Sequence, residues 1–325
     1  MKRFIYKTSV FFGLFIFLIV GTIYHLNSKM NDERFYKIPE SNDRLIFGHS
    51  HPETAFNDSL ISRSSNFGYS GESYFYTYQK VKKLTTSNPQ VKTVFIDFSN
   101  NLIEKSADEL VWGRTSISWA FPKFSHLFDV EDYLLLYSKN TKSTMNAQSL
   151  TVQNNYNFIY RVKGASLIWY RNMGGFLRLT NDGSSSLAGS GAVSVPDTLF
   201  ETSETNIEYL KKAVQILRAR EIDIYLVRTP VHKSYPGRVN EKTLINIKKT
   251  EFEDVDFLDF LDFQVEDNEF ADAHHLNFRG ANKFSAFFNR LLDDGLLSKE
   301  DKQQYINTEM SKIFPGDNRF VLSSN

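Results

Sequence analysis

The stretch LIFGHSH at residues 45–51 decides the fold of this chain. Leu45–Phe47 is a short, continuous apolar run, which is typical of a central strand in a parallel sheet. Gly48 then predicts a tight turn that presents Ser50 directly after the strand. Near the other end of the chain, the stretch DAHHLN at residues 272–277 places a carboxylate three residues before a histidine. Serine, histidine and aspartate are the groups of a nucleophilic hydrolase or acyl-transfer site, so the two stretches together predict that chemistry.

Strands alternate with helices between these two stretches. Further strands are predicted over residues 65–67, 91–98, 223–227 and 255–258, and helices over residues 72–84, 206–220 and 282–292. This alternation predicts an α/β fold in which a parallel sheet is flanked by helices.

An aromatic-rich segment, residues 104–204, interrupts the alternation. It contains Trp112, Trp119 and Trp169, many Tyr and Phe residues, and a Gly- and Ser-rich stretch at residues 183–191. We interpret it as a helical insertion with a mobile loop. Because aromatic faces suit sugar rings, we expect part of it to overhang the strand ends and shape the substrate site. The alternative is ordinary packing between the third and fourth strands.

Small or polar residues follow four of the predicted strands. These residues are Ser50, Gly71, the pair Asn100 and Asn101, and the pair Asp272 and His275. Parallel α/β sheets bind ligands at the carboxyl ends of their strands, so these positions are expected at one edge of the sheet. Each also has a structural alternative, such as a helix cap for Ser50 or a turn residue for Asn101.

At these positions the chain resembles the SGNH hydrolase superfamily, the GDSL-like lipases and esterases. Four blocks carry the resemblance: residues 48–50 (GHS), 66–71 (NFGYSG), 98–101 (FSNN) and 272–277 (DAHHLN). Together they cover most of residues 44–100 and 205–292 but not the insertion. The first block has His49 where the family usually has Asp, and the third block lacks its usual Gly. Gly-His-Ser-His is similar to the divergent membrane-anchored branch, which includes proteins that O-acetylate exopolysaccharides or D-alanylate wall polymers.

The resemblance implies a flavodoxin-like SGNH fold and a set of catalytic roles. Ser50 would be the nucleophile, His275 its general base, and Asp272 the carboxylate that orients the imidazole. The backbone N–H groups of Ser50 and Gly71, with the side-chain amide of Asn101 (or Asn100), would form the oxyanion hole.

Two residues after the fourth strand are candidates for the substrate rim. His232 is expected to line the pocket or to be a surface loop histidine, and Arg228 is expected to bind an anionic group or to form a salt bridge. His49 and His51 also suggest a metal site that Asp272 completes. Because a tight turn is expected to separate the two imidazoles, we predict no metal, and the proposed chemistry requires no cofactor.

The N-terminus predicts a membrane anchor. Residues 8–28 contain no charged side chain and are long enough to cross a bilayer. Lys2, Arg3 and Lys7 precede this stretch, which predicts a cytoplasmic N-terminus and an extracytoplasmic C-terminal domain. The first alanine is Ala55, so no Ala-x-Ala cleavage site precedes it, and an uncleaved anchor is favoured over a signal peptide. The predicted organisation is an anchor at residues 1–28, a linker at 29–43 and an SGNH-like domain at 44–325.

Composition narrows the possible functions. The 38 basic and 38 acidic residues balance, which argues against nucleic acid as a partner. The absence of cysteine excludes disulfides and thiolate chemistry. We therefore expect a single-pass membrane protein with serine esterase or O-acyltransferase activity on an acylated glycan or envelope polymer. A transferase would need a membrane partner that supplies the acyl group. The alternative is a catalytically weak SGNH-like domain that binds glycans or serves in assembly of an envelope polysaccharide system.

Overall fold

A computed structural model describes residues 1–161, 172–263 and 265–313. Two compact units form the chain. The first combines residues 1–37 with residues 112–172, and the second combines residues 38–111 with residues 173–325. Trp169, one of the three tryptophans of the predicted insertion, lies outside the described residues. The predicted insertion is therefore divided between the two units.

The elements follow the predicted alternation. The strands are β1 Arg44–Phe47, β2 Ser64–Asn66, β3 Thr93–Asp97, β4 Asp223–Arg228 and β5 Asp256–Asp259. The α-helices are α1 Lys2–Met30, α2 Ser50–Ala55, α3 Tyr74–Ser87, α4 Asn100–Ile103, α5 Glu109–Trp112, α6 Arg114–Phe124, α7 Val130–Tyr160, α8 Ser184–Leu187, α9 Glu204–Arg218, α10 Glu241–Glu251, α11 Phe278–Asp293 and α12 Lys302–Ile313. Short 3-10 helices lie at Glu33–Tyr36, Asp58–Leu60, Lys105–Asp108, Ser125–Leu127, Pro236–Asn240, Asp267–Glu269 and Leu296–Ser298.

The second unit is built on a parallel five-stranded sheet in the order β2-β1-β3-β4-β5. In the register of the central strands, Ile46 pairs with Asn66 on one side and with Phe95 on the other. The prediction of an α/β fold with a parallel sheet is confirmed. Because all five strands run in the same direction, the segments that follow them emerge at one edge of the sheet.

Both faces of the sheet are buried. Side chains alternate between the faces of a strand, and Leu45, Ile46 and Phe47 are all fully buried. On one face α11 packs its aromatic side against the sheet, with the Phe288 ring centroid 5.3 Å from that of Phe95. The apolar face of the amphipathic helix α11 thus covers this face of the sheet. The helix directly follows the segment that contains His275.

The first unit contains α1, α6 and α7. The last turns of α1 pack against α7, where Leu26 and Met30 are buried. α7 is interrupted at Asn140, whose backbone is not helical. α1 is long and apolar enough to span a membrane: its most apolar window has a mean hydropathy of 2.1, and 6% of that window is buried.

Candidate active site

The turn after β1 requires glycine. Gly48 has φ of +149°, in the region that favours glycine. A Cβ atom there would lie 2.4 Å from the Cβ of Asp97 and 2.7 Å from the Cγ of Pro52. The close approach allows α2 to begin at Ser50, three residues after the last residue of β1. Ser50 therefore lies at a helix N-terminus with its side chain partly exposed.

Ser50, His275 and Asp272 form a continuous hydrogen-bonded chain. The Oγ of Ser50 lies 2.8 Å from Nε2 of His275. The Nδ1 atom of His275 lies 3.0 Å from each carboxylate oxygen of Asp272. Because an ionised carboxylate only accepts hydrogen bonds, Nδ1 carries the proton and Nε2 presents its lone pair to the serine. Ser50 and His275 are 225 positions apart in the sequence, and with Asp272 they have the arrangement expected of a nucleophile, base and orienting acid.

The loop around Asp272 holds the carboxylate in place. Its Oδ1 accepts the backbone N–H groups of His274 and His275 at 2.7 and 3.0 Å. Burial by itself raises the pKa of Asp272, but the His275 ring and the His274 N–H offset this effect, and the pKa lies below its usual value. Asn277 then caps α11 by accepting from the N–H groups of Arg279 and Gly280. Asp272 and Asn277 thus each accept backbone N–H groups, one before and one after the histidine, which holds the segment in place.

Asn66 joins the second block, residues 66–71, to α2 through hydrogen bonds. Its Nδ2 donates to the carbonyls of Pro52 and Phe56 at 2.9 and 2.7 Å, and its Oδ1 accepts from the N–H of Gly68. A Cβ on Gly68 would lie 2.5 Å from the backbone nitrogen of Glu53, so the block packs directly on α2. This contact fixes the loop that leads to Gly71 relative to the helix that begins with Ser50.

A buried ion pair supports the same loop and was not predicted from the sequence. Nζ of Lys80 lies 2.7 Å from Glu72, and both side chains are fully buried. Lys80 also donates to the carbonyls of Phe67 and Met173. Gly71, with φ of +74°, directly precedes Glu72. Lys80 lies in the middle of α3, whose sequence is amphipathic, and a lysine there is expected to be exposed. The burial of its ammonium group is therefore visible only in the structure.

Asn100 and Asn101 differ in their availability. The Nδ2 of Asn100 donates to Asn240 and Glu241, and its Oδ1 accepts from Arg228. Oδ1 of Asn101 lies 3.1 Å from Oγ of Ser99, whose single proton is donated to Asp97 at 2.7 Å, and Nδ2 of Asn101 donates no hydrogen bond to any residue that the structure describes. The amide of Asn101 is therefore the one that remains available to a ligand, which supports it over Asn100 as the candidate oxyanion donor.

Arg228 and His232 have different surroundings. Arg228 is buried and paired with Asp259 and Glu241, with its Nη1 2.7 Å from Glu241. Of the two alternatives for Arg228, the structure thus shows the salt bridge. His232 lines a cleft of about 320 Å³ together with Asp267 and Phe270, and none of the three residues of the hydrogen-bonded chain lines it.

His232 contacts the loop of the fourth block directly. Its backbone N–H donates to the carbonyl of Ala273 at 3.1 Å. Its Nδ1 lies 2.6 Å from Oγ of Ser234, and its Nε2 lies 3.3 Å from Asp267. His232 therefore supports the loop that carries His275, whereas its side chain faces the neighbouring cleft.

Part of the predicted insertion borders the same loops. Within the second unit, the N–H of Gly175 donates to the carbonyl of Gly68, and the N–H of Leu177 donates to the carbonyl of Glu53. Further along, the N–H of Gly183 donates to the carbonyl of Phe270. Residues 175–183 thus run past α2 and two loops at the carboxyl edge of the sheet. The Gly- and Ser-rich stretch that was expected to be a mobile loop contains the short helix α8.

His49 and His51 lie on the same side of the turn, and the prediction that the turn separates them is wrong. Their ring centroids are 4.3 Å apart, because α2 begins immediately and curls the chain back. With Asp97 they form a buried group whose possible metal-binding atoms lie within 4.8 Å of one another. The 3.0 Å between Nε2 of His49 and Oδ2 of Asp97 fits a hydrogen bond.

Comparison with known proteins adds one partial match. A protein-family model without a description matches residues 194–297, about a third of the chain. The matched region includes Asp272 and His275 but not Ser50. A search of curated proteins found no match.

Proposed function

We propose that the protein is a serine esterase or O-acyltransferase that works through a covalent acyl-enzyme. The observation that carries the proposal is the hydrogen-bonded chain from Ser50 through His275 to Asp272, with a 2.8 Å separation between Oγ and Nε2. The resemblance of the four sequence blocks to the SGNH superfamily supports it independently. Neither phosphate-binding loops nor thiol chemistry offers a competing reaction in this sequence.

The reaction follows from the tautomer of His275. Its Nε2 accepts the hydroxyl proton as Ser50 attacks the ester carbonyl, and the protonated imidazole then donates that proton to the departing alcohol. Asp272 stabilises the imidazolium between these steps. The backbone N–H groups of Ser50 and Gly71 and the amide of Asn101 are the proposed donors to the oxyanion. The acyl group then passes to water in an esterase or to a sugar hydroxyl in a transferase.

The proposed substrate is an acylated glycan or envelope polymer outside the cytoplasm. Lys2, Arg3 and Lys7 lie in the first turns of α1, before its uncharged stretch at residues 8–28, and they support an N-terminus in the cytoplasm and a single-pass anchor. A transferase of this topology would receive its acyl group from a partner membrane protein. Reporter fusions placed after Asn42 should be active outside the cytoplasm. Protection of the C-terminal domain from external protease in intact cells would contradict this orientation.

A fluorophosphonate probe tests the chemistry without knowledge of the substrate. The probe should label the wild-type protein at Ser50, identified by mass spectrometry of the modified peptide. Ser50→Ala should abolish labelling, and His275→Ala should reduce it by orders of magnitude. Absence of labelling in a folded wild-type protein would refute the enzymatic proposal and favour a glycan-binding or assembly role.

A further inference from the structure

Two imidazoles contact the candidate nucleophile. Besides Nε2 of His275 at 2.8 Å, Nδ1 of His49 lies 3.2 Å from Oγ of Ser50. His49 is 3% exposed and therefore lies on the protein side of the serine. The hydroxyl has a single proton, so it can be donated to only one of these nitrogens at a time.

The imidazole of His49 contacts a buried carboxylate, as the imidazole of His275 contacts Asp272. Nε2 of His49 lies 3.0 Å from Oδ2 of Asp97 and 2.9 Å from Oγ of Ser99. Ser99 in turn donates to Oδ2 of Asp97 at 2.7 Å. Asp97 is fully buried at the end of β3, and its Oδ1 has no hydrogen-bond partner among the described residues. The contacts of this carboxylate with described residues are therefore made through Oδ2, to His49 and Ser99.

The hydrogen bonds fix the tautomer of His49. Because the carboxylate of Asp97 only accepts, Nε2 of His49 carries the proton. Nδ1 is then an acceptor, in agreement with the backbone N–H of His51, which points to it at 3.4 Å. The lone pair of Nδ1 thus faces the hydroxyl of Ser50, which is the geometry required of a general base.

We propose that His49 is a second general base for Ser50, positioned by Asp97. This inference rests on the proposed function, since it assigns a further catalytic residue to the same nucleophile. When Ser50 attacks an electrophile, its O–H bond breaks, the proton passes to Nδ1 of His49, and the new imidazolium pairs with the carboxylate of Asp97. His275 at the shorter distance is the principal base, and His49 sustains the reaction when His275 is absent or already protonated.

Nδ1 of His49 caps α2 by accepting from the N–H of His51 at 3.4 Å, and it lies closer, at 3.2 Å, to Oγ of Ser50. His49 thus directs one nitrogen to a buried anion and the other toward both the helix N-terminus and the reacting oxygen. An aspartate at position 49 would place a second carboxylate beside Asp97, whereas His49 donates a hydrogen bond to it.

The test is a double-mutant comparison of fluorophosphonate labelling rates at Ser50. It uses wild type, His49→Asn, His275→Ala and the double variant, with Ser50→Ala as the baseline. Asparagine places an amide oxygen near the position of Nδ1, so it keeps a hydrogen-bond acceptor beside Ser50 but cannot take the proton. His274→Gln is the matched control, because His274 is an exposed histidine next to the site.

We expect His49→Asn alone to slow labelling by less than about 10-fold, because His275 remains. The His275→Ala variant should keep a slow rate clearly above Ser50→Ala, and adding His49→Asn should lower this residual rate at least about 10-fold. Asp97→Asn in the His275→Ala background should lower it in the same way. If circular dichroism shows that the His49→Asn, His275→Ala double variant does not fold, the Asp97→Asn, His275→Ala variant tests the same role of His49.

Two results overturn the inference while leaving the proposed function intact. One is wild-type labelling with a His275→Ala rate equal to that of Ser50→Ala. The other is a residual rate in His275→Ala that neither His49→Asn nor Asp97→Asn changes. Failure of the wild type to label would instead overturn the proposed function itself.

Discussion

At the scale of single residues, Asp272 controls which tautomer His275 adopts. Its pKa lies below the usual value, so the carboxylate is ionised at neutral and mildly acidic pH and accepts the Nδ1 proton throughout that range. Asp272→Asn replaces one acceptor oxygen with an amide donor and loses this preference. We expect fluorophosphonate labelling to fall by about 10²–10⁴-fold, to a rate between wild type and Ser50→Ala. The exposed Asp294→Asn is the control and should label at the wild-type rate.

His51 gives the fold a dependence on pH that is separate from catalysis. It is fully buried among the rings of His49, His274, His275 and Tyr235. Burial, and then the three neighbouring histidines, lower the pKa of His51 well below its ordinary value of 6.5. The unfolded chain therefore binds a proton at His51 between these two pKa values, whereas the folded chain does not.

The free energy of unfolding should consequently fall as the pH drops below about 6.5, with a slope of at most about 1.4 kcal/mol per pH unit from this group. His51→Gln removes the titrating group, so its unfolding free energy should depend less on pH over the same range. Urea unfolding followed at several pH values measures both slopes. Equal slopes in the two proteins would show that His51 does not cause the dependence.

At the scale of elements, the Lys80–Glu72 pair joins α3 to the loop of the second block. Removing one member of a buried pair leaves an uncompensated charge, and Lys80→Met also leaves the carbonyls of Phe67 and Met173 without this donor. We expect a loss of about 3–5 kcal/mol in unfolding free energy.

Replacing both members, as Lys80→Met with Glu72→Leu, should restore part of that loss because no unpaired charge remains. Lys249→Met, at an exposed position of α10, should change stability by less than about 0.5 kcal/mol. Denaturant unfolding of the four proteins measures these differences. A loss below about 1 kcal/mol for Lys80→Met would contradict the inferred role of the pair.

Local sequence patterns predicted the positions of the strands and helices, but they predicted fewer of the contacts between these elements. The apolar run of residues 45–47 and the strand-like residues 91–98 correspond to β1 and β3, because buried parallel strands have a continuous apolar signal. The adjacency of Ser50 and His275 followed from the rule that strand ends share an edge. The Arg228 salt bridges did not follow, since Glu241 and Asp259 lie in separate elements and nothing local marks them as partners.

At the scale of the whole molecule, the sequence boundaries differ from the compact units. The anchor, the linker and the insertion were predicted as three separate segments, whereas residues 1–37 form one unit with residues 112–172. The segments form one unit because the last turns of α1 pack against α7. Asn27 donates to the Tyr133 hydroxyl at 3.0 Å, and the Tyr36 hydroxyl lies 2.5 Å from His126.

This packing predicts that the two parts of α1 can be removed with different consequences. Residues 1–20 are almost entirely exposed, so their deletion should leave the fold intact and remove the need for detergent. Deletion of residues 1–37 also removes the buried side chains of Leu26, Met30 and Tyr36, each of which contributes about 1.5–3 kcal/mol by its burial.

The longer deletion should therefore lower the thermal unfolding midpoint and expose apolar surface of α6 and α7, measured by calorimetry and by binding of a hydrophobic dye. Substituting Leu26→Ala and Met30→Ala in the protein that lacks residues 1–20 serves as a matched intermediate, because it removes two of the three side chains while keeping the helix. Its midpoint should lie between those of the two deletion variants. If the protein lacking residues 1–37 unfolded at the same temperature as the one lacking residues 1–20, the end of α1 would be only a tether and not part of the first unit's core.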